Sequence, residues 1–235
     1  MARLPRISPV GFPVHLIQRG NNRHTCFGAL EDYSTYITLL KEYSIKYGVD
    51  IHAWVLMTNH VHILCTPQRE GAVSLMMQSV GRRYVQYFNY QYQRSGTLWE
   101  GRYKSCLVQT EKYLIQVYRY IELNPVRAKM VKEPSGYFWS SYQINALGKI
   151  SDLCTPHPEY MRLGVTDDER MKNYRTLFSQ HMEGYLLEEI RSGANRGMAI
   201  GHDLFKDEIE VLTGRRQKLK KVGRPTGWRK KRENI

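Results

Sequence analysis

Two histidines separated by one residue stand in an otherwise apolar stretch of the chain. His60 and His62 belong to the run WVLMTNHVHILC at residues 54–65. On a β-strand, residues i and i+2 point to the same face, so both imidazoles would face one point. Paired imidazoles suit a divalent metal ion, which makes His60 and His62 candidate metal ligands. The alternative is that both side chains only form hydrogen bonds inside the core.

The composition indicates a polyanionic partner. The chain has 235 residues, 35 of them Lys or Arg against 22 Asp or Glu, and its net charge is +13. Such an excess suits a polyanionic partner such as nucleic acid. The charge is concentrated at the end, because residues 215–235 contain ten basic residues and one acidic residue.

This basic tail has too few apolar residues to form a core and is predicted to be disordered. Within it, Arg224 lies between Gly223 and Pro225 and could enter an A·T-rich minor groove. The other interpretation is nonspecific contact with phosphates, which requires only positive charge.

The cysteine pattern and hydropathy indicate an intracellular protein. The four cysteines form no Cys-x-x-Cys pair, which argues against a zinc knuckle or a redox motif. The first residues contain no long apolar h-region, so we expect no secretory leader, and no uncharged apolar run is long enough to span a bilayer. We therefore expect a cytoplasmic, nucleoid-associated protein with no membrane partner.

Strand and helix patterns alternate in the first part of the chain and predict an α+β fold with a largely antiparallel sheet. The predicted strands are residues 14–19, 49–57, 60–66 and 103–109, and the predicted helices are residues 32–47, 73–92 and 112–123. After about residue 145 the strand signals fade. Helices are then predicted at residues 167–180, 183–191 and 203–212, with a glycine-containing break at 193–201.

This organisation predicts three parts. Residues 1–145 would be the catalytic domain, residues 146–214 a helical C-terminal region, and residues 215–235 the basic tail. The helical region is compatible with a DNA-reading module and equally with a helical cap that contacts no groove.

The predicted helix at residues 112–123 offers a nucleophile. Residues four apart share a helix face, so Gln116, Tyr120 and Asn124 form a polar stripe. Tyr118 lies on the apolar face and is predicted to belong to the core. This separation singles out Tyr120 among seventeen tyrosines. Its phenol could attack a phosphate while the Asn124 carbonyl oxygen helps the two histidines to hold the metal.

Single-stranded nucleic acid is commonly held by aromatic side chains beside a cationic groove. Residues 82–104 combine both, and the loop at 96–102 carries Trp99, which could touch a base. Tyr84, Tyr87 and Phe88 fit core positions as well. The candidate phosphate contacts are Arg19, Arg23, Arg82, Arg83, Arg102 and Lys104.

Several ordered motifs resemble one family over roughly residues 8–145. They are His60-Val61-His62, the run YRYIELNPVRA at 118–128, Gln18-Arg19-Gly20-Asn21, the loop at 96–104 and Trp139-Ser140-Ser141-Tyr142. Together they resemble the single-tyrosine transposases of the HUH superfamily, and most of all the REP-associated tyrosine transposases.

The resemblance implies a ferredoxin-like catalytic domain that nicks single-stranded DNA, with hairpin-forming repetitive extragenic palindromes as substrates. It implies that His60 and His62 bind the metal, that Tyr120 is the nucleophile, and that Asn124 occupies the place of a third, amide ligand. Imidazole and amide ligands suit Mn²⁺ or Mg²⁺. No nucleotide cofactor is expected, because a phosphotyrosine link conserves the bond energy needed for rejoining.

Two other functions are compatible with these residues. One is a relative that binds hairpin nucleic acid without cutting it, and the other is a metal-dependent hydrolase that uses water as the nucleophile. Only the tyrosine mechanism leaves a covalent protein–DNA adduct. Related enzymes act as dimers that exchange the tyrosine helix, but the C-terminal region here could cover such an interface, so a monomer is favoured over a homodimer.

Overall fold

The computed structural model describes residues 6–180 and 182–218. The strands of the sheet are β1 (Val14–Arg19), β2 (Val49–Met57), β3 (His60–Pro67) and β4 (Lys104–Leu107). The first helices are α1 (Leu30–Tyr47), α2 (Ala72–Gln91), α3 (Thr110–Glu122) and α4 (Asn124–Arg127). The later helices are α5 (Tyr142–Asn145), α6 (Pro158–Met161), α7 (Asp167–Ser179), α8 (Gly184–Arg196) and α9 (Asp203–Thr213).

The sheet has the ferredoxin-like arrangement that the sequence predicts. Its strand order is β2-β3-β1-β4, and every neighbouring pair is antiparallel. Helix α1 connects β1 to β2, and α2 connects β3 to β4. Strands β2 and β3 form the predicted hairpin, so β3 lies in the interior of the sheet between β2 and β1.

One face of the sheet, which we call the α1/α2 face, packs against α1 and α2. Alternate residues of β3, namely Val61, Ile63 and Cys65, lie in this core as predicted. The buried rings of Tyr36 and Tyr84 come from the two helices. Helix α1 ends at Gly48, whose φ of +68° is readily adopted by glycine.

The opposite face, which we call the α3 face, packs against α3 and the C-terminal helices. Its apolar core joins strand residues such as Val55 and Leu64 to Tyr118 of α3. Tyr118 is fully buried, in agreement with the prediction. The same core includes Tyr174 of α7 and Ile190 of α8, so the C-terminal region shares its hydrophobic core with α3.

The C-terminal region also extends the sheet edge. Ile200 forms a parallel bridge with Val108, its N–H donates to Leu107 O at 2.8 Å, and its carbonyl accepts from Gln109 N at 2.9 Å. This pairing covers part of the β4 edge, which would otherwise expose unpaired backbone groups. Strand β4 ends at Leu107, two residues before the predicted end, where Leu107 forms the last pair with Val14 of β1.

The predicted boundary of α8 was wrong. The helix continues to Arg196 instead of ending at residue 191, and Gly193 lies inside it. A Cβ at Gly193 would approach Ile200 Cγ1 to 2.9 Å, so this glycine permits close packing and does not end the helix. The helix ends at Gly197, whose φ is +66°.

Trp99 does not lie on the surface, so its predicted contact with a base was wrong. The indole is buried and packs near Tyr36 and Tyr84 in the core of the α1/α2 face. Tyr84 and Phe88 are also buried there, as their helical spacing indicated. Among the described helices, none is long and apolar enough to cross a membrane.

Candidate active site

The two histidines of β3 lie on the α3 face, near the β2–β3 turn. Their ring centroids are 5.1 Å apart. In the sheet, His60 pairs with Met57 and Arg19, and His62 pairs with Val55 and Ile17. The alternation of the strand therefore brings both imidazoles to one place, as their spacing predicts.

The turn that precedes His60 is fixed by the loop after β1. Thr58 O accepts from Cys26 N at 2.9 Å, and Asn59 O accepts from Gly20 N at 2.8 Å. A Cβ at Gly20 would lie 2.3 Å from His24 O, so a larger residue would force the loop away. The loop and the turn thus set the start of β3 and the position of His60.

Each histidine uses its Nδ1 atom in a hydrogen bond. His62 Nδ1 lies 2.8 Å from Nε2 of His15, a residue of β1, and His60 Nδ1 lies 2.6 Å from Asn59 Oδ1. The Nε2 atom is therefore the ring nitrogen that each histidine can offer to a metal ion. Partners of this kind orient metal-binding histidines by fixing their tautomer.

Burial keeps these imidazoles neutral. It lowers the pKa of His60 to about 4, with a further contribution from Arg19. Burial also lowers the pKa of His62 well below its usual value, and His15 and His60 add to the effect. The pKa of His15 falls to about 3 for the same reason. A neutral imidazole is the form that binds a metal ion.

Helix α3 brings Tyr120 to the histidines. The Tyr120 ring centroid is 5.8 Å from that of His62 and 5.9 Å from that of His15, with edge-on geometry in both pairs. The Arg127 guanidinium lies over the Tyr120 ring, 4.4 Å from its centroid. Arg127 also donates to the Tyr120 carbonyl. One chain therefore gathers a phenol and two imidazoles within contact distance.

Asn124 follows Tyr120 by one helical turn, and its side chain is bonded to its own helix. Its Nδ2 atom donates to Tyr120 O at 3.1 Å and to Ile121 O at 3.2 Å. These bonds leave Oδ1 as the ligand atom that the residue can offer. They also tie the end of α3 to α4.

The donor set fits a metal ion with an open coordination shell. Two neutral imidazoles would leave positions for an amide oxygen, a substrate oxygen or water. In residues 6–180 and 182–218, no three His, Cys, Asp or Glu side chains are grouped as a metal site would require. A closed structural zinc site of four such ligands does not fit this part of the chain.

The comparisons with known proteins indicate one family over the first part of the chain. Residues 10–124 match the family described as "Transposase IS200 like", over the segment that contains every residue just described except Arg127. Residues 10–124 are an IS200-like transposase domain. No curated protein sequence matches the chain significantly.

Two solved structures are similar to this chain. A REP-associated tyrosine transposase bound to a REP hairpin matches with a TM-score of 0.52 and 18% identity, over 68% of this chain and 93% of the other. At this identity the likeness shows a common fold. A crystal structure of a candidate transposase from Deinococcus radiodurans matches with a TM-score of 0.36 and 25% identity, over 52% of this chain and 96% of the other.

The basic residues proposed from the sequence fall into separate groups around the transposase domain. Arg19, Arg102 and Lys104 line one pocket of about 490 Å³. Arg23 lines a different recess, together with Tyr92 and Arg94. Arg82 and Arg83 are exposed on α2, which packs on the other face of the sheet. Arg224 lies outside the described residues.

A buried carboxylate holds the tyrosine helix against the C-terminal region. Glu122 Oε1 accepts from Ser141 Oγ at 2.5 Å and from Asn145 Nδ2 at 2.8 Å, and Oε2 accepts from Tyr174 Oη at 2.7 Å. Burial raises the pKa of Glu122 to about 7, although the three hydrogen bonds oppose this shift. The network fixes α3 two residues after Tyr120.

Sequence reasoning missed three residues of this site. His15 becomes a partner of His62 only through the β1–β3 register, which no spacing in the chain reveals. Glu122 depends on Tyr174, 52 residues away. Arg127 could have been found, because seven residues are two helical turns and would bring it to the Tyr120 face.

Proposed function

We propose that the transposase domain nicks and rejoins single-stranded DNA through a covalent link to Tyr120. The observation that carries the proposal is the contact between the Tyr120 ring and His62 within one chain. A nucleophile placed beside two potential metal ligands is the arrangement that phosphoryl transfer to a side chain requires.

In the proposed step, Tyr120 Oη attacks the scissile phosphorus. A bond forms between Oη and phosphorus while the bond from phosphorus to the 3′ oxygen breaks. The phenol loses its proton, and the released 3′ oxygen takes up a proton to become a hydroxyl. The product is a 5′-phosphotyrosine, and attack by a 3′-hydroxyl reverses the step without a nucleotide cofactor.

We assign His60 and His62 as the metal ligands through their Nε2 atoms, with Asn124 Oδ1 as the third. The ion would be Mn²⁺ or Mg²⁺, and when bound it would stabilise negative charge on the phosphate. His15 and Asn59 would hold the two rings in the required tautomer. Arg127 would fix the orientation of the Tyr120 ring.

We infer that the substrates are unpaired strands next to hairpins, as in repetitive extragenic palindromes. Support comes from the fold shared with a transposase bound to a REP hairpin and from the positive net charge. We propose a monomer, because Tyr120 reaches the histidines of its own chain and the α3 core is shared with the C-terminal helices. Residues 1–145 would then be the catalytic domain and residues 215–235, with Arg224, a phosphate-binding tail.

The test is adduct formation on end-labelled single-stranded oligonucleotides that contain the host's own palindromic repeats, with Mn²⁺ or Mg²⁺. A denaturing gel separates covalent protein–DNA species from free DNA. We expect a metal-dependent adduct that is absent in Tyr120→Phe and present in the matched variant Tyr118→Phe. If Tyr120→Phe still cleaved the DNA, the nucleophile would be water and not the tyrosine. Binding without adduct or cleavage across the panel would favour a protein that binds hairpins without cutting them.

A further inference from the structure

We propose that the pocket between β4 and the end of α8 binds the phosphate backbone of the unpaired DNA strand that leads to Tyr120. This inference rests on the proposed function and specifies where the strand lies. It gives the C-terminal region a direct role in substrate binding. The family match, over residues 10–124, does not extend to that region.

The lining of the pocket is strongly positive. The pocket has a volume of about 490 Å³, and its charged lining residues include one acid, Glu100. Against it stand six cationic side chains: Arg6, Arg19, Arg102, Lys104, Arg196 and Arg215. One of these, Arg196, belongs to the helical C-terminal region, and Arg215 is the first residue of the basic tail. Clustered arginine and lysine side chains are the usual ligands of phosphate groups.

The pocket adjoins the candidate active site on the same face of the sheet. Ile17 lines the pocket and pairs with His62 on one side and with Lys104 on the other. Arg19, also in the lining, pairs with His60. Two strand spacings separate Lys104 from His62, which is about 10 Å between backbones. A single strand can therefore touch the pocket while its scissile phosphate lies at Tyr120.

The two walls of the pocket are held together by defined contacts. Lys104 Nζ of β4 lies 3.2 Å from Asn195 Oδ1 of α8. A Cβ on Gly197 would lie 3.3 Å from Ser105 O and 3.0 Å from Arg215 Nη2, so the end of α8 lies close to β4. The Ile200 bridge to Val108 anchors the chain just beyond. Arg196 is thus positioned by a fixed helix end and not by a loose loop.

The chemistry of the lining favours the backbone of an unpaired strand. Tyr103 is the aromatic residue that the lining contains, and the Arg6 guanidinium covers its ring at 3.9 Å from the centroid. The pocket therefore presents cations and no open ring on which a base could stack. An unpaired strand can bend its phosphates into a pocket of this volume more readily than a stiff duplex can.

The experiment measures DNA binding by the full-length Tyr120→Phe protein, which separates binding from cleavage. Fluorescence anisotropy follows a labelled hairpin with an unpaired flank and a blunt duplex of the same sequence, over a series of salt concentrations. Arg196→Ala is the main variant because its side chain is exposed. Lys172→Ala is the matched control, since it removes one exposed positive charge from α7, away from the pocket.

We expect Arg196→Ala to weaken binding of the flanked hairpin about tenfold and to lower the salt slope by about 0.7. The Lys104→Ala/Arg196→Ala double variant should lower the slope by about 1.4, and Lys172→Ala should leave it unchanged. Equal effects of Arg196→Ala and Lys172→Ala would overturn the proposal. An equal effect of Arg196→Ala on the flanked hairpin and on the blunt duplex would overturn the assignment to an unpaired strand.

Adduct formation by the wild-type protein is measured in parallel and separates the two proposals. If no adduct forms but Arg196→Ala still weakens binding selectively, the pocket assignment stands and the nicking activity fails. If the adduct forms and Arg196→Ala binds like the control, the nicking activity stands and the pocket assignment fails.

Discussion

The two faces of the sheet bury side chains of different kinds, although the same strands supply both. The α1/α2 face is covered by an apolar and aromatic core around Tyr36, Tyr84 and Trp99. The α3 face carries His15, His60 and His62, and α3 adds Tyr120 beside them. Alternation within a strand therefore lets one segment stabilise the fold on one side and supply the candidate active site on the other.

The α3 face buries histidines and a carboxylate, which need hydrogen-bond partners. Burying a polar group without a partner is unfavourable, and a charged group more so. His15 and His62 satisfy each other, and Glu122 is satisfied by Ser141, Asn145 and Tyr174. All three partners of Glu122 lie beyond residues 10–124, so the candidate active site depends on residues outside the matched transposase domain.

The two faces should differ most in how substitutions at adjacent positions of β3 change the rate of adduct formation. His62→Ala should slow adduct formation at least ~100-fold, because loss of metal assistance removes several kcal/mol of transition-state stabilisation. Ile63→Val, on the α1/α2 face, should cost about 1 kcal/mol of stability and leave the rate unchanged. Gel-based rates and urea unfolding measure both effects. Equal slowing by the two variants would mean that the faces do not differ in function.

The second-largest expected effect is a loss of stability when the Glu122 network is removed. Glu122→Ala leaves three buried donors without an acceptor and should reduce the free energy of unfolding by about 3 kcal/mol. Glu122→Gln keeps the volume and one acceptor, so its loss should be smaller. Glu111→Ala, at the exposed start of the same helix, should change stability by less than about 1 kcal/mol. Urea unfolding measures all three, and a loss in Glu111→Ala as large as that in Glu122→Ala would contradict the role of the network.

A smaller effect should appear as pH dependence. His52 on the α3 face bonds to Thr66 Oγ1 at 2.8 Å and to Thr155 O at 2.7 Å, and burial lowers its pKa. Because the unfolded chain binds the proton near pH ~6.5 and the folded chain does not, this stabilisation is present above that pH and is lost as the pH falls below it. His52 alone changes the free energy of unfolding by at most about 1.4 kcal/mol per pH unit.

The measurement is the free energy of unfolding in urea at several pH values between 7.5 and 5 for the wild type and for His52→Gln. The variant should show a shallower decline toward acid than the wild type. The exposed His24 provides the control, since His24→Gln should keep the wild-type slope. Parallel curves for the wild type and His52→Gln would show that burial of His52 does not contribute to the acid sensitivity.

The sequence was sufficient for the features that depend on local periodicity. The bounds of β1 and β2 agree with the predicted strands, and the end of α1 at Gly48 follows from one glycine. The shared face of His60 and His62 follows from the period of a strand. These features need no knowledge of which distant segments meet.

Features that depend on distant pairing could not be predicted in this way. The contact of His15 with His62 spans 47 residues, and the bond of Glu122 to Tyr174 spans 52. Trp99 has an aromatic side chain in a glycine-containing loop, which gives no local sign of its burial. Arg196 reaches the pocket only because Ile200 joins the β4 edge.

The smallest expected effect concerns the positioning of Tyr120. Arg127 stacks on its ring and donates to its carbonyl. Lysine keeps the charge but lacks the planar guanidinium, so Arg127→Lys loses about 1 kcal/mol of this contact. Because that energy corresponds to roughly fivefold in rate, adduct formation should slow by that factor at saturating metal. Arg119→Lys is the matched control on the same helix, since its guanidinium bonds to Gln116 and Gln180 instead. If the two variants gave the same rate, the stacking contact would stabilise α3 without orienting the nucleophile.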